Sequence, residues 1–174
     1  MNDEKVKEMV TNMENPSVPC KNELSIYRHY AKLLNCQSLI LTGSVALSLY
    51  GLIKRGTSDI DLICVKPTDE TLELLDRLKE NMNNDSEYPT DNRISFRHSD
   101  GTKIDIFIYP KLTETPIYMV FDEVTYPVAM PVPIVQAKKS YGKIKHIIQL
   151  KAIAERFYKP IDLERYIEHH TKKY

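Results

Sequence analysis

From Asn22 the chain places apolar residues every three to four positions. Leu24, Tyr27, Tyr30, Leu33 and Leu34 line one side of "NELSIYRHYAKLLN", which predicts an amphipathic helix over 22–35. The period then changes. "SLILT" (38–42) is a short apolar run predicted to be a buried strand, and Gly43-Ser44 turns it into a helix ending near Gly51. "DIDLICV" (59–65) alternates as a second strand. "TDETLELLDRLKENM" (68–82) returns to helical period, with Thr68 or Asp69 as N-cap and acids in the first turn. "RISFRHSDGTKIDIFIYP" (93–110) reads as two strands joined by a turn at Ser99-Asp100-Gly101.

A further β region, "PIYMVFDEVTYPVAM", precedes a long helical segment from Pro131 to Phe157. Its stripe is Ile134, Ala137, Tyr141, Ile144 and Ile148, with Gly142 as a candidate break. A short helix over 3–14, a loop at "NPSVPC" with its two prolines, and a closing helix "DLERYIEHHTKKY" complete the pattern. Strands and helices intermingle, and the consecutive hairpin argues for a mixed sheet. The expected class is α/β (α+β), a mixed β-sheet flanked by helices with a C-terminal helical extension.

At 174 residues the chain is expected to form one domain: N-terminal helices over 1–36, a core over 37–112, and a strand region with C-terminal helices over 113–174. Hydrophobic residues make up 42%, enough for a real core. Basic and acidic side chains balance at 24 each, so bulk charge favours neither a nucleic-acid-coating protein nor an acidic tail. The opening "MNDEKVKEMV" is no secretory signal. The uncharged run from Cys36 to Ile53 carries polar residues and two glycines, which suits a strand-turn-helix better than a membrane span. Cys20, Cys36 and Cys64 lack metal-like spacing and read as reduced thiols of a cytoplasmic protein with no membrane attachment.

The chemistry gathers around "LTGSVALSLYGLIKRGTSDIDLICV". Side chains two apart on a strand share a face, so Asp59 and Asp61 project together while Ile60 and Leu62 point away. Two like charges so close call for a cation, and hard carboxylate oxygens suit Mg²⁺. Gly43-Ser44 offers backbone N–H groups and a hydroxyl to phosphate oxygens. Asp105 interrupts the apolar strand "KIDIFIY", where an acid is otherwise unfavourable. If the hairpin extends the same sheet, Asp105 meets Asp59 and Asp61 on a neighbouring strand. Arg55 and Ser58, just before the first acid, can reach a phosphate or fix the loop.

Gly43, Ser44, Asp59, Asp61 and Asp105, within "TGSVALSLYGLIKRGTSDIDL" and the later "KIDIFIY", resemble the motif of the nucleotidyltransferase superfamily typified by DNA polymerase beta, in its minimal form. The resemblance covers about residues 38–110. It implies two-metal nucleotidyl transfer with Mg²⁺ (or Mn²⁺) as cofactor. Asp59 and Asp61 would hold the metal, and Asp105 would join them at the second ion, lowering the pKa of the acceptor hydroxyl, or take its proton. That hydroxyl attacks the α-phosphate of an NTP and pyrophosphate leaves. Gly43 and Ser44 would cradle the β- and γ-phosphates.

Related small transferases also supply a phosphate-binding lysine from a helix after the core. Between Ala137 and Ala154 stand five lysines and no acid, and Lys138 and Lys145 share a face. These two are the expected phosphate contacts, with Lys151 or Lys159 taking the role in another register. The Lys-Asp-x-x-Asp-Leu segment of such transferases is approached by "KHIIQL", where His146 and Gln149 replace the acids, and by "KPIDL". The five histidines form no metal-like cluster, and His29 is expected on a helix surface. The acceptor is expected to be tRNA or another RNA end, a protein hydroxyl or a small molecule, and similarity to toxin-type and defence-associated minimal transferases leans toward a toxin-like or tRNA-modifying role. Two other readings stand beside it: a non-catalytic nucleotide- or RNA-binding module, and one half of a toxin–antitoxin pair or a homodimer docking through helices 3–14 and 22–35.

Overall fold

Alternation dominates the central strand. In β2 (Asp59–Val65), Ile60, Leu62 and Cys64 are fully buried on one face, while Asp59, Asp61, Ile63 and Val65 are half-buried on the other. The computed structural model describes residues 18–34, 38–53, 59–81, 92–112, 114–141 and 149–150. Among them run α1 (Val18–Leu33), β1 (Leu39–Thr42), α2 (Gly43–Leu49), β2, α3 (Asp69–Asn81), β3 (Arg93–Arg97), β4 (Lys103–Tyr109), β5 (Ile117–Phe121), β6 (Val124–Val128) and α4 (Pro131–Tyr141). Gln149 and Leu150 are also helical.

The six strands form one sheet in the order β3-β4-β2-β1-β6-β5. It is mixed: β2 and β4 run parallel, as do β1 and β6, whereas β1–β2, β3–β4 and β5–β6 are antiparallel. The predicted hairpin does join the main sheet, with Gly101 at φ +89° in its turn and His98 N–H bonded to Thr102 O at 2.8 Å. Thr68 caps α3, its Oγ1 accepting the Thr71 N–H at 3.2 Å, ahead of Asp69 and Glu70.

Three features differ from the sequence expectation. α1 begins inside "NPSVPC", because proline in the first helical turn gives up an N–H that has no intrahelical acceptor anyway. Its stripe is buried except at Leu33, which is 44% exposed. The β region after Pro116 divides into β5 and β6 at Asp122-Glu123, both with positive φ. In α4, Ala137 is exposed and Lys138 is buried, so the helix turns a lysine inward where periodicity predicted an alanine.

The core joins Ile60, Leu62, Ile104, Ile106 and Phe96 from the sheet to Leu24, Tyr27 and Tyr30 of α1 and to Val45, Leu47 and Leu49 of α2. Tyr27 donates its hydroxyl to Leu39 O at 2.6 Å and lies against Tyr126, which ties α1 to β1 and β6. Cys20 and Cys64 are buried and carry no disulfide, and Cys36 lies outside the described residues. His29 is exposed on α1, as expected. Among the described residues no helix is long and apolar enough to cross a membrane.

Candidate active site

Register brings the site together. On one side of β2, Asp61 pairs with Asp105 of β4. On the other it pairs with Thr42, the last residue of β1 before the Gly43-Ser44 turn. Turn and acids therefore share one end of neighbouring strands. Gly43 has φ +63°, and a Cβ built there would overlap Asp61 Oδ2 and sit 2.9 Å from its Cγ. Only glycine allows the turn and the carboxylate to approach so closely.

Asp105 is buried and held on both oxygens. Oδ1 accepts the Ser95 hydroxyl and, at 3.2 Å, Arg93 Nε; Oδ2 lies 2.9 Å from an Arg93 Nη and 4.0 Å from Lys103 Nζ. The guanidinium thus grips the carboxylate side-on, and it also rests over the Phe107 ring at 5.4 Å. Arg93, Ser95 and Lys103 had no place in the sequence prediction. Their strand alternation, with Arg93 and Ser95 on one face, was visible, but the pairing of Ser95 with Asp105 required the hairpin register.

Asp61 carries the electrostatic strain of the cluster. Burial, then the nearby Asp105, pushes its carboxyl up to about 6; Asp59 adds to the rise, while Lys138 and Arg93 oppose it. From α4, Lys138 reaches Ser44, its Nζ donating to Oγ at 3.1 Å. Gln149 Nε2 donates to the same oxygen at 3.1 Å. The predicted Lys138 therefore does sit at the turn, and Gln149, which replaces an acid of the related segment, joins it there. Arg55, Ser58, Lys145, Lys151 and Lys159 lie outside the described residues.

No three acids, histidines or cysteines among the described residues converge as ligands for one ion. Asp59 and Asp61 remain a same-face pair of hard oxygen donors, with Asp105 beside them in the grip of Arg93 and Ser95.

A glycine-serine turn feeding a short helix, next to acids on adjacent strands of a mixed sheet, is the architecture of a nucleotidyltransferase, and solved structures share it. A lincomycin-bound lincosamide antibiotic adenylyltransferase, LnuA, superposes with a TM-score of 0.56 at 12% identity, over 80% of this chain and 98% of that one. The antibiotic-resistance factor ANT(2'')-Ia gives a TM-score of 0.53 at 16% identity, over 88% and 97%. These likenesses are of fold alone. The family follows from the sequence itself: residues 26–156 match the model of the nucleotidyl transferase AbiEii toxin family of type IV toxin–antitoxin systems, and the chain belongs to that family. No curated protein matches it.

Proposed function

We propose that this chain transfers an NMP from an NTP to an acceptor hydroxyl with release of pyrophosphate, using Mg²⁺ or Mn²⁺ held by Asp59 and Asp61. The observation that carries the reading is the double register of Asp61, which has Asp105 on one flank and the Gly43-Ser44 turn on the other. The donor set fits a hard cation. Two carboxylates share a strand face, and burial with Asp105 alongside disfavours the anionic form of Asp61 more than Lys138 and Arg93 favour it. When bound, the cation supplies charge that offsets the triphosphate and favours the acceptor's alkoxide.

The chain's own residues do the rest. Gly43 and Ser44 cradle the β- and γ-phosphates, and Lys138 adds positive charge at Ser44. Asp105, aimed by Arg93 and Ser95, takes the acceptor's proton, or would join Asp59 and Asp61 in holding the cation were one of those bonds released. Arg55, Ser58 and Lys145 contribute further phosphate contacts.

The toxin description of the family favours a cellular macromolecule as acceptor, tRNA or another RNA end before a protein hydroxyl. It also favours a restraining partner protein. LnuA, as an antibiotic adenylyltransferase, keeps a small-molecule hydroxyl among the acceptors to be tested. Of the docking reading, helix 3–14 lies outside the described residues, and the α1 stripe is buried in the core except at Leu33.

The test is to incubate α-labelled NTPs and Mg²⁺ or Mn²⁺ with tRNA, protein and small hydroxyl compounds. Label should move with the wild type and stay put with Asp59→Ala/Asp61→Ala. A wild type that neither binds NTP with metal nor transfers label would overturn the proposal.

A further inference from the structure

The third acid of the site is already engaged by the chain's own donors. A carboxylate offers about four lone-pair positions. On Asp105, three of them take bonds: the Ser95 hydroxyl and Arg93 Nε on Oδ1, and Arg93 Nη2 on Oδ2 at 2.9 Å. Beside Oδ2, the oxygen with a position to spare, stands the Lys103 ammonium at 4.0 Å. Two positive charges thus face one negative charge. The Arg93 and Lys103 side chains are only 16% and 14% exposed, so water and salt screen them weakly from any further cation.

Strand register fixes this grip. Ser95 lies opposite Asp105 and Arg93 opposite Phe107, so all four side chains share one face of the hairpin. The Phe107 ring, 5.4 Å from the guanidinium carbon, gives Arg93 a second surface to rest on. Freeing Asp105 for a metal ion would leave this guanidinium and the buried Ser95 hydroxyl without their acceptor. It would also set a divalent charge next to two cations. Mg²⁺ demands near-ideal octahedral placement of its donors, which a carboxylate bonded on both oxygens does not offer.

We infer that Arg93 takes the place of a second metal ion: the chain holds one divalent cation, on Asp59 and Asp61, and Asp105 is not among its ligands. The inference rests on the nucleotidyl-transfer reading above and departs from the two-ion site that the sequence motif implies. It leaves Asp105 the role of taking the acceptor's proton.

Mn²⁺ binding to the full chain with an equimolar non-hydrolysable NTP analogue, followed by calorimetry and electron paramagnetic resonance, tests it without turnover. The ions of a two-ion site lie about 3.5–4 Å apart, close enough for their spins to couple. The wild type should instead bind one Mn²⁺ per chain, with the spectrum of an isolated ion. Arg93→Met/Asp105→Asn removes one charge of each sign and keeps an acceptor for Ser95. It should shift Mn²⁺ affinity by less than about 3-fold, as expected of a change outside the ligand set. Asp61→Asn should weaken binding by more than about 100-fold, beyond the usual cost of losing a ligand's neighbour. Arg93→Met alone should admit a second ion and show the coupled spectrum; if it does not fold, the wild-type count and the double variant decide. A coupled pair in the wild type, a loss of 10-fold or more in the double variant, or a folded Arg93→Met that stays at one ion would overturn the inference and leave the transfer reading standing. A wild type that takes up no Mn²⁺ with the analogue defeats the transfer reading itself.

Discussion

Removing the negative charge of Asp61 should abolish transfer and yet stabilise the metal-free protein. Its carboxyl moves from an ordinary 3.8 up to about 6, because burial and then Asp105 disfavour the anion. The unfolded chain therefore releases this proton near pH 4 and the folded chain near pH 6. Between those values the folded state holds more protons, so stability falls as pH rises through the window. About two pH units at 1.36 kcal/mol each amount to a penalty of about 3 kcal/mol, fully present above pH 6. Asparagine keeps the shape without the charge. In chelator at pH 7.5, Asp61→Asn should exceed wild type by about 1–3 kcal/mol, the lower end allowing for imperfect amide hydrogen bonds. For a chain of this size that is a rise in Tm of about 3–10 °C. At pH 5 the advantage should shrink by about half, since wild type then keeps much of its proton. Thermal melts of both proteins in chelator, at pH 5 and 7.5, give the answer. A variant no more stable than wild type at pH 7.5, or an advantage that does not shrink with acid, would refute the reasoning. Adding Mg²⁺ or Mn²⁺ should raise the Tm of wild type more than that of the variant, because the ion binds the folded site.

Arg93→Ala leaves Asp105, whose side chain is 4% exposed, without the guanidinium that grips it, and should cost about 3–5 kcal/mol in denaturant unfolding. The double variant Arg93→Ala/Asp105→Ala should recover part of that loss, and a strictly additive double would show that the pair is not coupled. Gly43→Ala forces a side chain into left-handed backbone and against Asp61, so it should cost about 1–3 kcal/mol and abolish metal-dependent NTP binding; retained binding would disprove the close approach.

Much of the fold and part of the site can be read along the chain. The strands of the acids, the hairpin turn and α3 with its Thr68 cap follow from local period and turn chemistry, which need no partner to be legible. The β5–β6 turn was missed because Asp122-Glu123 carries no glycine to announce its positive φ. The inward register of α4 was missed for a different reason. Periodicity assumes that apolar residues face the core, and Lys138 is buried only because Ser44 and the nearby acids supply partners for its charge.

Sequence by itself determined the identities and local spacing of the chemistry: two acids on one strand face, a third on a later strand, and a turn that requires glycine. Tertiary structure alone decided that these stand together. Strand register sets Asp61 between Asp105 and Thr42, and hairpin pairing delivers Ser95 and Arg93 to Asp105. Helix docking brings Lys138 and Gln149 to Ser44 across about a hundred residues. Local preference reaches only a few positions along a chain, whereas these contacts follow from which faces must be buried together.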